Sequence, residues 1–471
     1  MPARALRTLV FGGLIALGGC GEDRPAGTQA PAGAPPPIPQ EIVDPASVPR
    51  VPKRVERIVL FALDGASWRL VSPLLEEGRL PTLARLLARG AHAELGTLEP
   101  TVSPAIWTTI ATGMLPARHG ILGFEGVPGA TMETLPNSRM RRTKAWWNVL
   151  SGMGVSSGTI GWWASWPADS LAPGSFLVSD RVPYTRMEAA VGHAGLAPDD
   201  VFPPELLAEL AALVERPNEI SPEAVEKFLG MSRGEMDALL AMEYRMGSFL
   251  PEFKFVHQSD RSTWKIASHA LARHPVDCAA VYFTGIDTVS HLFWHFTFPE
   301  EFPDHSISME DRRRFGRVIP LYYEMIDDLM GRTLESIGGD PTVIVVSDHG
   351  FGGTGRLPWS GGHGSITPGA PIAPPGVLVM AGPGVAPAGR LAKAHVLDIA
   401  PTVLHLMGLP AAADMLGRVL VDALVPEIRA EPPRIPSWEP VGGPRVVAEI
   451  PLDPAGDAER LERLRALGYV Q

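Results

Sequence analysis

Three carboxylates and three imidazoles in this chain stand where metal ions could gather them: Asp64, Asp287, His291, Asp348, His349 and His363. Asp348 and His349 follow directly on the β-branched run "TVIVV", so a buried strand delivers them at its C-terminal edge. Asp64 ends the apolar run "RIVLFALDG" in the same manner. Asp287 and His291 are four apart in "TGIDTVSH". A helix beginning near residue 288 brings both to one side of its first turn, with Asp287 at the end of the preceding strand. The alternative is that Asp287 caps that helix and His291 packs in the core. His363 lies in the Gly-rich "SGGHGSITPG", where the backbone can approach a site closely. The six divide evenly into two sites of mixed oxygen and nitrogen ligands, the borderline chemistry that zinc accepts.

Three carboxylates offset only three of the four charges of two dications, and the shortfall invites an alkoxide. Ser103 is the candidate. A hydroxyl at a helix N-terminus beside a dication can lose its proton near neutral pH and attack an electrophile. Two other readings stand beside this one: Ser103 as a plain helix cap, and Thr101 as the relevant hydroxyl. His295, one turn beyond His291, reads as a pocket wall, and His395 and His405 read as structural.

The elements that must position these groups alternate. "RIVLFALDG" predicts a strand and "LPTLARLLARG" an amphipathic helix closed by Gly90. A further strand and turn lead to a helix starting at Ser103 or Pro104, where the missing proline donor costs nothing. "GVSSGTIGW" and "GSFLVSD" read as core strands, followed by mostly helical material. Residues 185–255 read as a cap over the sheet edge. Trp146, Trp147, Trp162, Trp163 and Trp166 lie just before it, and ordinary core packing is the reading for most of its Trp and Met side chains. "CAAVYFTGID" resumes the sheet, and the amphipathic "VIPLYYEMIDDLMGRTLESIG" leads into the Asp348 strand. The alternation predicts an α/β chain with a three-layer α/β/α core. Residues 53–425 form this domain, and 426–471 are a Pro-rich surface wrap with a short terminal helix.

With 471 residues and a formal net charge of -11, the chain offers no basic field for nucleic acid. Residues 1–20 carry Arg4 and Arg7, an apolar run, and small residues before Cys20. This is a secretory layout too short to span a bilayer, and it resembles a bacterial lipoprotein signal in which Cys20 is lipidated. Residues 21–52, rich in Pro, Ala and Gly, read as a tether. Export to the cell envelope, lipid-anchored and facing the periplasm, is the expected location. Cys278 sits in an apolar strand and reads as a buried core residue.

Five of these stretches together resemble the alkaline phosphatase superfamily, in its branch of type I phosphodiesterases and nucleotide pyrophosphatases. They are "LDG" at 63–65, "PTVSPAIWTTIATGMLPARHG" at 100–120, "GIDTVSH" at 285–291, "SDHG" at 347–350 and "GGHG" at 361–364. The likeness covers roughly residues 55–425 and implies an alkaline-phosphatase-like core with two Zn2+, or another divalent metal such as Mn2+. By resemblance, Asp64, Asp348 and His349 hold one ion with Ser103 coordinated to it as nucleophile, and Asp287, His291 and His363 hold the other. The implied activity is hydrolysis of phosphate esters, diesters first, through a phosphoseryl intermediate on Ser103, with a small-molecule or lipid-headgroup ester as substrate. A phosphomonoesterase on the same centre is the alternative, ahead of a sulfatase or a non-catalytic surface binding protein.

Departures from the family pattern bear on the substrate. Ser103 stands where the nucleotide enzymes usually have Thr, and Ile106 where they have an Asn that holds a phosphoryl oxygen. Pro104 cannot give a backbone donor. Lys144, Arg181 and Arg261 are the cations available to take that role. "SPAIW" breaks the sulfatase pattern of Cys or Ser, x, Pro, x, Arg, and the export signal argues against a phosphoglycerate mutase.

Overall fold

The computed structural model describes residues 41–124, 135–182, 195–242, 249–354, 361–362 and 374–446. Cys20 with its signal and most of its tether, His363, and the terminal helix expected after residue 450 lie outside the described residues.

Twelve strands are assigned among the described residues: β1 (Ile58–Leu63), β2 (Gly90–Gly96), β3 (Ser157–Ile160), β4 (Phe176–Val178), β5 (Val201–Phe202), β6 (Cys278–Phe283), β7 (Thr342–Val346), β8 (Gly352–Gly353), β9 (Gly361–Gly362), β10 (Gly376–Ala381), β11 (Gly389–Arg390) and β12 (Ala394–His395). Ten form one sheet in the order β11-β2-β10-β7-β1-β6-β3-β4-β5, with β12 also on β2, and β8 pairs with β9. The centre is parallel: β1 lies between β6 and β7. Antiparallel β10 covers the far side of β7.

The apolar run of β1 is buried on both faces, as a central parallel strand requires. Its side chains alternate between two cores: Ile58, Leu60 and Ala62 join one, and Val59, Phe61 and Leu63 the other. Helices cover both, giving the three-layer α/β/α core expected. Ser103–Thr112, Trp146–Gly152 and Ile399–Leu406 lie on the first; Trp68–Glu76, Phe249–Arg273, Gly285–Thr297 and Val318–Ile337 lie on the second.

Register then positions the chemistry. Leu63 pairs with Phe283, and Ala62 with Val346. The next residues of all three strands therefore emerge side by side, which brings Asp64, the segment leading to Asp287, and the Asp348–His349 pair to one edge.

Several boundaries differ from the sequence reading for tertiary reasons. The Trp68–Glu76 helix was not foreseen; Ser67 begins it by accepting the Arg69 N–H at 3.3 Å. In the segment read as a cap, Leu210, Val225, Phe228 and Leu239 pack into the same core as β1 and β7. The Phe249–Arg273 helix runs straight through residue 255, where the cap was expected to end. The surface wrap expected after residue 426 instead sends Ile435, Trp438 and Val441 into the core, and Val43 of the tether bridges to Val441. Trp107, Trp146, Trp147 and Trp162 are fully buried in edge-on contact. Each such ring hides roughly 150–250 Å², so these indoles are core. Among the described residues, no helix is long and apolar enough to cross a membrane.

Candidate metal centre

Asp64, Asp348 and His349 converge at the sheet edge, each offering a ligand atom within 4.8 Å of the others, and all three are buried. His349 Nδ1 lies 2.9 Å from the Gly350 carbonyl. A carbonyl can only accept, so Nδ1 carries the proton and Nε2 presents its lone pair. That lone pair faces Asp348 Oδ2 at 3.3 Å and Asp64 Oδ1 at 3.5 Å. Ser103 opens the Ser103–Thr112 helix, with its Oγ 3.2 Å from His349 Nε2 and 3.5 Å from Asp64 Oδ1.

Asp287 and His291 come together beside this trio. His291 Nε2 is 3.5 Å from Asp287 Oδ1. Gly65 explains how closely the two groups approach. It has φ +68°, a conformation glycine takes without strain, and a Cβ there would lie 3.0 Å from Asp287 Cβ. Its N–H meets Asp348 Oδ1 at 3.3 Å. One backbone unit thus touches carboxylates of both groups.

The helix carrying Asp287 starts at Gly285, three residues earlier than the sequence indicated, so Asp287 sits in its first turn rather than at the strand's end. The reason is Asp260, from the Phe249–Arg273 helix. Its carboxylate accepts the N–H groups of Thr284 at 3.2 Å and Gly285 at 3.0 Å, satisfying donors that a helix start leaves open. The Tyr322 hydroxyl donates to the same carboxylate at 2.9 Å.

Electrostatics test whether these residues suit a cation. Burial pushes the carboxyl groups of Asp348 and Asp287 well above the carboxylate range, and raises Asp64 as well. Asp64 raises Asp348 further through its proximity, and Asp287 adds to both. Asp348 Oδ2 is buried and accepts no hydrogen bond. Buried carboxylates that repel one another, with an acceptor oxygen unmet and an imidazole lone pair aimed among them, are the surroundings a divalent cation relieves. The donor set fits.

Sequence reasoning missed the groups behind the ligands. Tyr282 donates its hydroxyl proton to Asp64 Oδ2, and the Trp107 indole N–H approaches the same oxygen at 3.3 Å. Trp107 lies four residues after Ser103 on its helix, and Tyr282 alternates inward on β6; neither signal distinguishes them from ordinary core residues.

Two of the three cations considered for the phosphoryl group are committed elsewhere. Lys144 Nζ donates to the carbonyls of Trp438, Glu439, Val441 and Gly443 at 2.7–3.2 Å, holding the C-terminal segment. Arg261 is paired with Glu215 at 2.9 and 3.0 Å. Arg181 stacks 3.9 Å over the Trp166 ring. His295 is buried against Phe296 and its pKa is lowered to about 4 by burial. His395 and His405 meet the carbonyls of Thr97 at 3.1 Å and Ile428 at 2.6 Å. Burial pushes the Cys278 thiol up to about 12, so it is no nucleophile.

A 2,3-bisphosphoglycerate-independent phosphoglycerate mutase of Cereibacter sphaeroides is 37% identical over 103 residues, 21% of this chain and 19% of that one. The chain therefore spans about a fifth of the length of the curated relatives it matches. Among solved structures, a 2-O GAG sulfatase, BT1596, aligns at TM-score 0.48 and 13% identity, covering 80% of this chain and 75% of the other. Murine ectonucleotide pyrophosphatase / phosphodiesterase 5 aligns at TM-score 0.43 and 12% identity, covering 75% and 95%. The family model described as type I phosphodiesterase / nucleotide pyrophosphatase matches residues 58–357, well over half the chain, and takes in Asp64, Ser103, Asp287, His291, Asp348 and His349. The chain belongs to the type I phosphodiesterase / nucleotide pyrophosphatase family.

Proposed function

We propose that this protein is a metal-dependent hydrolase of phosphoric esters, with phosphodiesters as its preferred substrates and Ser103 as its covalent nucleophile. The observation that carries the reading is the Ser103 hydroxyl at a helix N-terminus, 3.2 Å from His349 Nε2 and 3.5 Å from Asp64 Oδ1, inside the carboxylate cluster. Asp64, Asp348 and His349 would hold one Zn2+ and Asp287, His291 and His363 a second, with Mn2+ as the other candidate metal. Such ions lower the pKa of a neighbouring hydroxyl and offset the charge on a phosphoryl group.

The chain's own groups define the reaction. Ser103 Oγ releases its proton to solvent and attacks phosphorus, forming the O–P bond as the bond to the departing ester oxygen breaks. That oxygen leaves with the electron pair and takes a proton from solvent. Water then adds to phosphorus, the Ser103 O–P bond breaks, and the hydroxyl is restored as the monoester departs. The N-terminus of the Ser103–Thr112 helix favours the negative charge on Oγ.

Substrate charge decides between diester and monoester. A monoester dianion rewards a cationic clamp beside the nucleophile, and Lys144, Arg261 and Arg181 are each engaged with other groups: backbone carbonyls, Glu215 and the Trp166 ring. With Ile106 buried in the core, the residue three past the nucleophile offers no polar contact either. The singly charged diester fits this surround better. An export signal and a lipidated Cys20 would hold the enzyme at the periplasmic face of a membrane, where small-molecule and lipid-headgroup esters are both at hand.

Zinc-loaded protein starting after Cys20 is expected to hydrolyse bis-p-nitrophenyl phosphate with a higher kcat/KM than p-nitrophenyl phosphate. The reverse preference would replace the diester reading with a phosphomonoesterase; turnover of neither would contradict the proposal.

A further inference from the structure

We infer that Trp163 and Tyr282 form a one-way hydrogen-bond chain that positions Asp64 for metal binding, an inference that rests on Asp64 being a ligand as proposed above. The chain has three members. The Trp163 indole N–H lies 2.9 Å from the Tyr282 hydroxyl oxygen, and that hydroxyl contacts Asp64 Oδ2.

Its direction follows from donor chemistry. An indole N–H only donates, so Tyr282 must accept from Trp163. A phenol has one proton, and an ionised carboxylate only accepts, so that proton points at Asp64. Trp107 adds a second donor to the same oxygen at 3.3 Å. Asp64 Oδ2 is thereby tied to the core side, and rotation of the carboxylate about its axis is blocked. The other oxygen, Oδ1, is the one left facing His349 Nε2 and Ser103 Oγ.

The supports of this chain are themselves fixed. Tyr282 pairs in register with Ala62, two residues before Asp64, and its ring meets Trp107 edge-on at 5.2 Å. Trp163 lies in the turn after β3, where Ala164 adopts φ 55°, a left-handed conformation rare outside glycine. Asp180, at the end of β4, holds that turn by accepting the N–H groups of Ala164 at 2.8 Å and Trp166 at 3.0 Å. Two and three strands along the sheet from β1, the turns after β3 and β4 thus set the orientation of one carboxylate. Tyr282 and Trp163 are positioning residues; neither needs to touch substrate.

The test is the Zn2+ dissociation constant of the full exported chain, read by competition with a chromophoric chelator, with the melting temperature of the metal-free protein alongside. Tyr282→Phe keeps the ring and removes the donor, and is expected to weaken zinc binding by about 10–100-fold, the range for groups that orient a ligand. Trp163→Phe should weaken it several-fold. The double variant should bind no worse than Tyr282→Phe alone, because Trp163 acts through Tyr282. Trp146→Phe, in the same indole cluster but without a bond to the chain, should leave the affinity unchanged. Metal-free melting temperatures do not track this pattern if the role is positioning. Wild-type affinity in Tyr282→Phe, or additive losses in the double variant, would overturn the inference; if Tyr282→Phe does not fold, unchanged affinity in Trp163→Phe does so. Asp64→Asn separates the two claims. Retained zinc affinity there sinks the ligand assignment itself, whereas its loss beside an unaffected Tyr282→Phe sinks only the chain.

Discussion

Replacing Ser103 by Ala is expected to lower turnover of a phosphodiester by at least about 10³-fold, the scale on which loss of a nucleophile is felt when the rest of a site survives. The substitution removes one atom from a buried position at the first turn of its helix. No backbone hydrogen bond depends on it, so fold and zinc content should be close to those of the unaltered protein. Rapid acid quench during turnover, followed by mass analysis, should find a phosphoryl adduct on the peptide carrying Ser103 and none in the alanine variant. An adduct on the peptide at Thr101 instead would reassign the nucleophile. Residual turnover at the unaltered level would remove Ser103 from the mechanism.

Asp348→Asn should lose zinc and yet make the metal-free protein harder to unfold. Burial and the neighbouring Asp64 hold the Asp348 carboxyl well above the carboxylate range. A carboxyl raised in the folded state contributes stability that is complete below its unfolded value, about 4, and is lost as pH rises through the folded value. As pH rises above about 4 the metal-free protein therefore carries a growing cost of crowding Asp64, Asp287 and Asp348 together. Asparagine removes one of those charges while its amide oxygen can still accept the Gly65 N–H now bound at 3.3 Å. In calorimetry at pH 8 without metal, the variant should melt several degrees higher, with the difference shrinking toward pH 4. Zinc at 100 times its dissociation constant should stabilise the unaltered protein by about 2.7 kcal/mol and leave the variant nearly unmoved. Its zinc affinity should fall by more than about 10²-fold, since even groups that merely orient a ligand are worth 10–100-fold. A variant that melts lower without metal and still gains from zinc would contradict the ligand assignment.

What could be read from the sequence was whatever depends on local pattern. The apolar runs before Asp64 and Asp348 announced buried strands ending in carboxylates, and the four-residue spacing of Asp287 and His291 placed them on one helical face. Pro104 marked the start of the Ser103 helix. What could not be read depends on distant partners. The helix bearing Asp287 starts at Gly285 because Asp260, 25 residues earlier, caps it. Lys144 looked available for an anion because its acceptors are backbone carbonyls nearly 300 residues downstream, which leave no mark in side-chain composition. Tyr282 and Trp163 resemble any aromatic residues of a buried strand and its turn; their role appears only when β6 and β3 are side by side. Four of the family motifs carry Asp64, Ser103, Asp287, His291, Asp348 and His349, while Tyr282 and Trp163 lie outside them.

The most direct measurement is a titration of chelator-stripped protein with Zn2+, following the initial rate on bis-p-nitrophenyl phosphate at each addition. A metal-dependent phosphodiester hydrolase predicts no turnover before the first addition and a rate that rises to saturation near two equivalents per chain, with Ser103→Ala silent throughout. Full turnover in the stripped protein, undiminished by excess chelator, would contradict the metal centre built from Asp64, Asp287, His291, Asp348 and His349.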